Sequence, residues 1–266
     1  VDDRSGRAQA EPRQRWRIVF ARDGLALDLT PADAVTRWEA AVVGSGLPVA
    51  SSQGRTTRPR LSFAAPLPAG VPAGGELADL VLTERLTRAD LWDRLVGCLP
   101  DGYGLIDLYD VWLGAPSLPA RLAAADYRAR VRPATVAGWG EASGDLADRC
   151  ARACEALLSS PTLPRTRVRG EGRAVDYDLR PLILALSVDR SNVSSVSSGT
   201  GALDLSMRLR IGSEVGSGRP DEVVLAVAER AGLELTLEGT VRERLLTVDD
   251  LDAGAMPDRR PPALAG

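Results

Sequence analysis

Hydrophobic and polar positions alternate over residues 16–20, placing Trp16, Ile18 and Phe20 on one face of an expected strand and Arg17 and Val19 on the other. The strand ends at Asp23-Gly24, a turn pair. The period then changes from two to 3.6, and within LTPADAVTRWEAAVVGSG the residues Val35, Trp38, Ala41 and Val42 form one buried stripe. Thr30 is placed to cap this helix and Pro31 suits its first position. Asp33 lies where a carboxylate complements the helix dipole, and Gly44 to Gly46 end the helix. RLSFAAPLP and ELADLVLTE read as two strands. TRADLWDRLVGCLP reads as a second helix, capped by Thr87, with Leu91, Trp92, Leu95, Val96 and Leu99 on its apolar side. GLIDLYDVWL closes the set as a strand, so the order is β-α-β-β-α-β, the split ferredoxin-like arrangement.

The same order recurs after GAPSLPARLAAA, a proline-containing connector. ADYRARVR is a strand, GDLADRCARACEALLSS a helix, and RTRVRG with RAVDYDLR a strand pair. LILALSV and ALDLSMRLRI are strands on either side of SNVSSVSSGTG, a loop expected to be mobile. RPDEVVLAVAERAG is the last long helix and TVRERLLTV the last strand. No residue-level repeat links the halves, so the duplication is one of element order. The expected fold is α+β, with two tandem ferredoxin-like (βαββαβ) domains at residues 15–113 and 127–250 joined by a connector at 114–126. Residues 1–14 and 251–266 are expected to be a flexible start and tail.

Composition narrows the chemistry. With 266 residues, 44% of them hydrophobic, the chain can fill the cores of two ordinary domains. The 33 basic residues are all arginine and stand against 36 acidic ones, so a net charge of −3 gives no global field that attracts nucleic acid. Histidine is absent altogether. That removes the usual general base at neutral pH, the Ser-His and Cys-His nucleophile pairs, and the commonest metal ligand. Three cysteines, Cys98, Cys150 and Cys154, are too few for a secreted disulfide framework, which points to a reducing, cytoplasmic compartment. No stretch approaches the roughly 20 apolar residues of a membrane span, and the first residues have no apolar core of the kind a signal peptide needs.

Cys150 and Cys154 share a helix face, but two thiols without histidine fall short of the four ligands zinc takes, so core packing is the expectation and no metal site is assigned. Three strands carry alternating arginines: Arg128, Arg130 and Arg132; Arg165, Arg167 and Arg169; Arg208 and Arg210. Such a face either binds phosphate through guanidinium forks or is a solvated face paired with carboxylates. Its outward positions carry no aromatics, which does not support stacking of RNA bases. The loop SSQGRTTRPR gathers Gly54, Arg55, Arg58 and Arg60, suited to an anion through backbone amides and guanidinium groups, or to an ordinary surface loop.

At this loop the chain resembles a known family. RWRIVFARDG, GLPVASSQGRTTRPRLSFAAPLPAGV, VDYDLRPLILAL and GSGRPDEV are similar, in that order, to the radical-SAM-linked protein family of bacteria over residues 15–248. Its members are encoded beside, or fused to, a cobalamin-binding radical S-adenosylmethionine protein. The resemblance therefore implies a radical SAM enzyme as partner. It also marks Asp178, Leu179, Arg180 and Pro181, and Gly218, Arg219 and Pro220, as intact family elements. The family's Ser-His-Leu-Asp stretch corresponds to Thr30, Pro31, Ala32 and Asp33, so its histidine is lost. Its Ser-Gln-Gly-Phe-Asn-Pro stretch is kept as Ser52, Gln53 and Gly54 and then departs at Arg55, Thr56 and Thr57.

The function expected is a non-catalytic accessory protein of a radical SAM enzyme that holds RNA or another anionic substrate, with no cofactor of its own. Gln53, Gly54, Arg55, Arg58, Arg60, Arg180 and Arg219 are the expected ligand-binding residues. The alternatives are a histidine-independent RNA-processing enzyme and a plain protein–protein interaction module. A fainter likeness at the level of fold, to CRISPR repeat-processing endoribonucleases, does not transfer function, and the missing histidine counts against cleavage.

Overall fold

A computed structural model describes residues 10–52, 57–134, 143–169, 172–189, 201–212 and 216–252. The chain divides into two compact units at Arg121 and Leu122. Each combines helices with antiparallel strands, an α+β architecture.

In the first unit the elements are β1 (Gln14–Arg22), α1 (Pro31–Gly44), β2 (Leu61–Phe63), β3 (Ala73–Leu82), α2 (Arg88–Val96), β4 (Tyr103–Val111) and a short α3 (Leu118–Arg121). The strands lie in the order β4-β1-β3-β2, every pair antiparallel. Both long helices start as their sequences predict. The Thr30 hydroxyl accepts from the Asp33 amide at 3.2 Å, and the Thr87 hydroxyl accepts from the Asp90 amide at 3.1 Å. The apolar faces of α1 and α2 close over Trp16, Ile18 and Phe20 of β1, with Trp38, Val42, Leu91 and Leu95 buried. Gly102 is required just before β4. Its φ is +82°, and a Cβ there would stand 2.5 Å from the Ala26 amide nitrogen and the Asp23 carbonyl, on the turn that follows β1.

Two expectations change here. Val96 is exposed, because α2 turns its Leu91–Leu95 line to the sheet. The second strand shrinks to three residues, since Pro66 and Pro68 cannot donate to a ladder. On the other face of β1, Arg15 and Arg17 are buried. Asp79 of β3 accepts from both, at 2.9 Å from Arg15 Nε and 2.8 Å from Arg17 Nε. Arg15 also donates to the carbonyls of Ala115 and Pro116.

The second unit runs β5 (Leu122–Pro133), α4 (Ser143–Ser159), β6 (Pro164–Arg169), β7 (Arg173–Asp178), β8 (Ile183–Asp189), β9 (Leu203–Arg210), α5 (Pro220–Ala231), β10 (Leu235–Thr247) and a short α6 (Val248–Asp252). Strands β10-β5-β9-β8 form antiparallel neighbours, while β6 and β7 pair only with each other as a separate hairpin. Leu146, Cys150, Ala153, Cys154 and Leu157 of α4 pack with Val223, Val224, Ala226 and Val227 of α5 over Leu203, Leu205, Met207 and Leu209 of β9. Both cysteines are core residues.

Strand β5 begins at Leu122, inside the expected connector. Leu-Ala-Ala-Ala has little strand propensity of its own, and pairing with Leu245, Leu246 and Thr247 of β10 overrides it. Strand β10 starts at Leu235 rather than Thr240, because a register shift beside Gly239 breaks the alternation that marks a strand in sequence. The expected serine-rich loop lies largely outside the described residues, as do most of the expected start and tail. No helix among the described residues is long and apolar enough to cross a membrane.

Candidate functional site

The arginine-bearing strands of the second unit resolve in favour of carboxylate pairing. Arg128 reaches Glu243 at 2.9 Å, Arg132 reaches Glu238 at 2.7 Å, and Arg130 lies 3.6 Å from both Asp204 and Glu238. Asp126 takes Arg208 and Arg244, each at 2.7 Å. Arg165 pairs with Glu229 at 2.6 Å, and Arg167 with Glu222 at 2.5 Å while its guanidinium sits over the Tyr177 ring. Burial of Asp126 favours its protonated form, but hydrogen bonds from Arg208 and Arg244 outweigh this and hold its carboxyl below the usual range.

Of the residues expected to bind a ligand, Gln53, Gly54 and Arg55 lie outside the described residues. Arg58 and Arg60 flank the Ser51–Pro59 bridge with exposed side chains, and no carboxylate among the described residues pairs with them. Arg180 has a different task. Its guanidinium donates to the Leu158 carbonyl at 3.0 and 2.6 Å and to the Ile183 carbonyl at 2.9 Å, tying the end of α4 to the start of β8. Asp178 completes this clamp by accepting from the amides of Leu163 and Arg180. The Asp-Leu-Arg-Pro element is thus a structural staple, because the donors an anion needs are already engaged. Arg219 is exposed at the N-cap of α5, its side chain making no capping hydrogen bond, and it adds to the attraction that holds Glu222 ionised.

A site not expected from the sequence lies in the first unit. Pro31, Ala34 and Val35 of α1 face Leu61 and Phe63 of β2 and the segment Ala64–Leu67 across a cleft of about 480 Å³. The lining is mainly apolar, with four polar side chains set into it: Arg22, Ser62, Glu76 and Tyr103. Arg22 and Glu76 are only 2% and 3% exposed. Arg22 donates to the carbonyls of Leu67, Pro68 and Val71, so it fixes the loop that forms one rim. Behind the cleft Trp38 meets Phe20, Phe63 and Tyr103 at centroid distances of 4.7, 5.6 and 5.4 Å, the last two edge-on. The Trp38 indole N–H and the Tyr103 hydroxyl are enclosed without a well-formed hydrogen bond. Burial pushes the Tyr103 phenol up, opposed by nearby Arg22 and Trp38, so the group is a neutral donor at physiological pH.

The chain has no histidine. Burial pushes Cys150 up to about 11 and Cys154 up to about 12, and it also raises Cys98, so none is a ready thiolate near neutrality. Among the described residues no group of three or more cysteines and carboxylates is placed to hold a metal ion. The sequence signal for the cleft was weak: Glu76 opens an apolar strand, and Arg22 sits beside a turn, where charged residues are ordinary.

No curated protein matches the chain. Among solved structures, a chain of the crystal structure of a Cbf5-Nop10-Gar1 complex aligns with 10% identity over 89% of this chain and 53% of its own length, at a TM-score of 0.46. This chain therefore spans about half of that one. A crystal structure of an unknown protein from Galdieria sulphuraria aligns with 15% identity over 86% of this chain and 98% of its own, at a TM-score of 0.23. Neither likeness bears on function at these scores. Residues 15–217 match the bacterial family described as "Uncharacterized protein conserved in bacteria (DUF2344)", a span reaching from β1 through the cleft and into the approach to α5, and the chain belongs to that family.

Proposed function

We propose that the protein is a non-catalytic accessory protein whose first unit holds a small, largely apolar ligand in the cleft beneath α1. The observation that carries this reading is the juxtaposition of a 480 Å³ apolar cleft with buried Arg22 and Glu76 and half-buried Tyr103. A ligand with an apolar body and one hydrogen-bond acceptor would fill the space and engage the phenol. Carboxylate pairing of the arginines in the second unit favours such a ligand over RNA. The strand orders β4-β1-β3-β2 and β10-β5-β9-β8 support the finer fold reading of two ferredoxin-like domains in tandem, the second with a hairpin inserted after its first helix.

The partner in this reading is the radical SAM enzyme that the sequence resemblance implies. Trp112 supports a protein partner: it is 77% exposed directly after β4, beside exposed Leu113. Its ring folds over Gly114, where a Cβ would stand 2.7 Å away.

The cleft is tested with 8-anilinonaphthalene-1-sulfonate, an apolar fluorophore carrying one anionic acceptor group. Saturable binding to the native protein that is lost in Val35→Trp, with an unchanged urea midpoint, supports the reading; equal binding in the variant refutes it. The partner is tested by co-purification from the native host. Recovery of a radical SAM enzyme with the wild type and its loss with Trp112→Ala support the accessory role, and recovery of none at any salt concentration overturns it.

A further inference from the structure

The cleft of the first unit is walled by rigid, flat surfaces. Phe20, Phe63 and Tyr103 contribute aromatic rings to it, and Pro31, Pro66 and Pro119 contribute pyrrolidine rings. The Phe20 ring meets Phe63 edge-on at a centroid distance of 5.9 Å, and meets Tyr103 at 5.9 Å with the planes inclined by 57°. Proline has almost no rotamer freedom to lose and an aromatic side chain has little, so such walls take up a ligand at low entropic cost. Their faces and edges also complement those of another aromatic ring.

Two opposite charges are set into this lining, and neither waits for a ligand. Arg22 and Glu76 are both buried. The Arg22 guanidinium donates to the carbonyls of Leu67, Pro68 and Val71, and neither Arg22 nor Glu76 is without a partner in the protein. An anion entering the cleft would be repelled by Glu76 and a cation by Arg22, and either would leave water without gaining a counter-ion of its own. The phenol is placed differently. Tyr103 stands opposite Arg22 across β4 and β1, whereas Glu76 stands opposite Phe20 across β1 and β3. Trp38 and Arg22 approach the phenolic oxygen as donors, and exposed Arg37 adds a positive charge, so each side chain that acts on the phenol is a donor or a cation. The Tyr103 hydroxyl is enclosed and finds no acceptor among the described residues. A buried donor left unpaired is costly, and a ligand oxygen would relieve that cost.

Resting on the reading that the cleft holds a small apolar ligand, we infer that it is selective for an uncharged, flat ring compound bearing a carbonyl group. The carbonyl oxygen turns to Tyr103, and the rings lie against Phe20 and Phe63. A volume of about 480 Å³ has room for two fused rings and a substituent. A ketone or lactam supplies the acceptor without a charge. A carboxylate supplies the acceptor with a charge that Glu76 opposes, and an ammonium group supplies no acceptor and a charge that Arg22 opposes.

The experiment uses the full chain with N-phenylnaphthylamine, an uncharged fluorophore, as reporter of the cleft. Four competitors share one ring system and one position of substitution: acetylnaphthalene, ethylnaphthalene, naphthoate and naphthylmethylammonium. The reporter should bind the wild type saturably and be lost in Val35→Trp. Acetylnaphthalene should compete at least about tenfold more tightly than either ion, because each ion enters without a counter-ion. It should also compete about threefold to tenfold more tightly than ethylnaphthalene, the range that one neutral hydrogen bond sets. Apolar burial alone predicts the opposite order for that pair, since the ethyl compound is the more apolar. Tyr103→Phe keeps the ring, so it should erase the advantage of the ketone while ethylnaphthalene stays within about twofold of its wild-type affinity. Where the reporter is lost in Val35→Trp, equal competition by either ion, no advantage of the ketone in the wild type, or an advantage that survives Tyr103→Phe would overturn the inference and leave the cleft as an apolar site. Reporter binding absent from the wild type, or unchanged in Val35→Trp, would overturn both.

Discussion

Replacing Asp79 with asparagine should be among the most damaging single changes in the first unit. The substitution preserves shape and removes one charge, leaving Arg15 and Arg17 buried without a counter-ion. Their side chains are 9% and 6% exposed and that of Asp79 is 3% exposed, so solvent screens little of the interaction. Burial opposes the charge on Arg17, yet the hydrogen bond and attraction to Asp79 more than compensate and raise its pKa. Removing one partner of a buried pair costs about 3–5 kcal/mol, and a carboxylate shared by two guanidinium groups belongs at the upper end. A domain is stable by only about 5–15 kcal/mol, so the variant should sit near the edge of folding. By contrast, Asp107→Asn breaks the pair with Arg88, whose side chains are 57% and 36% exposed, and should cost no more than about 1 kcal/mol. The assay is urea unfolding followed by tryptophan fluorescence, since Trp16, Trp38, Trp92 and Trp112 all lie in the first unit. The triple variant Arg15→Met/Arg17→Met/Asp79→Leu, which removes all three charges of this cluster, should recover most of the lost stability. A loss below about 1 kcal/mol in Asp79→Asn, on the scale of surface pairs, would refute the reasoning.

The remaining predictions concern the second unit and the thiols. Asp126 has a folded pKa below its ordinary 3.8, so its stabilisation is complete above that value and is lost as pH falls through the depressed one. Asp126→Asn should therefore flatten the acid side of the stability profile, and an unchanged slope below pH 3.8 would contradict the pairing with Arg208 and Arg244. At pH 7 a thiol reagent should label Cys98 slowly and leave Cys150 and Cys154 unmodified until urea is added; prompt labelling of all three would show that the α4 core opens readily. Arg180→Lys keeps the charge but cannot span the carbonyls of Leu158 and Ile183 in the same geometry. It should cost about 1–3 kcal/mol for each carbonyl left unsatisfied, and a midpoint equal to wild type would remove the staple from the account.

Local signals along the chain carried much of the architecture. Thr30 with Pro31 and Asp33, and Thr87 with Asp90, state their helix starts in side-chain chemistry that operates within one turn. The alternation of Leu203, Leu205, Met207 and Leu209 likewise marks the buried face of β9 without knowledge of its neighbours. What local pattern misses is set by distant partners. Nothing in its own segment marks Arg17 as buried, because its partner Asp79 lies 62 residues later. Leu122 to Ala125 read as connector until β10 pairs with them. The cleft is hidden for the same reason, because Arg22, Ser62, Glu76 and Tyr103 come from four different strands, β1, β2, β3 and β4, and none is unusual in its own segment.

Arginine usage explains why Arg180 is engaged with backbone carbonyls. A chain without lysine invites the reading that clustered arginines await an anion, but the guanidinium group, with five donors in a rigid planar fork, is also well suited to bridge two or three carbonyl oxygens at once. Arg15 does so at Ala115 and Pro116, Arg22 at Leu67, Pro68 and Val71, Arg149 at Ala231 and Gly232, and Arg180 at Leu158 and Ile183. In each case the acceptors belong to a loop or a helix end, where backbone carbonyls lack an internal partner. Arginine is thus the residue with which this fold satisfies its irregular backbone, and sequence clustering alone does not distinguish a staple from a ligand site. The distinction comes from what each guanidinium already holds. By that criterion Arg180, whose guanidinium already holds the carbonyls of Leu158 and Ile183, reads as a staple, whereas exposed Arg58 and Arg60 stay open to a ligand.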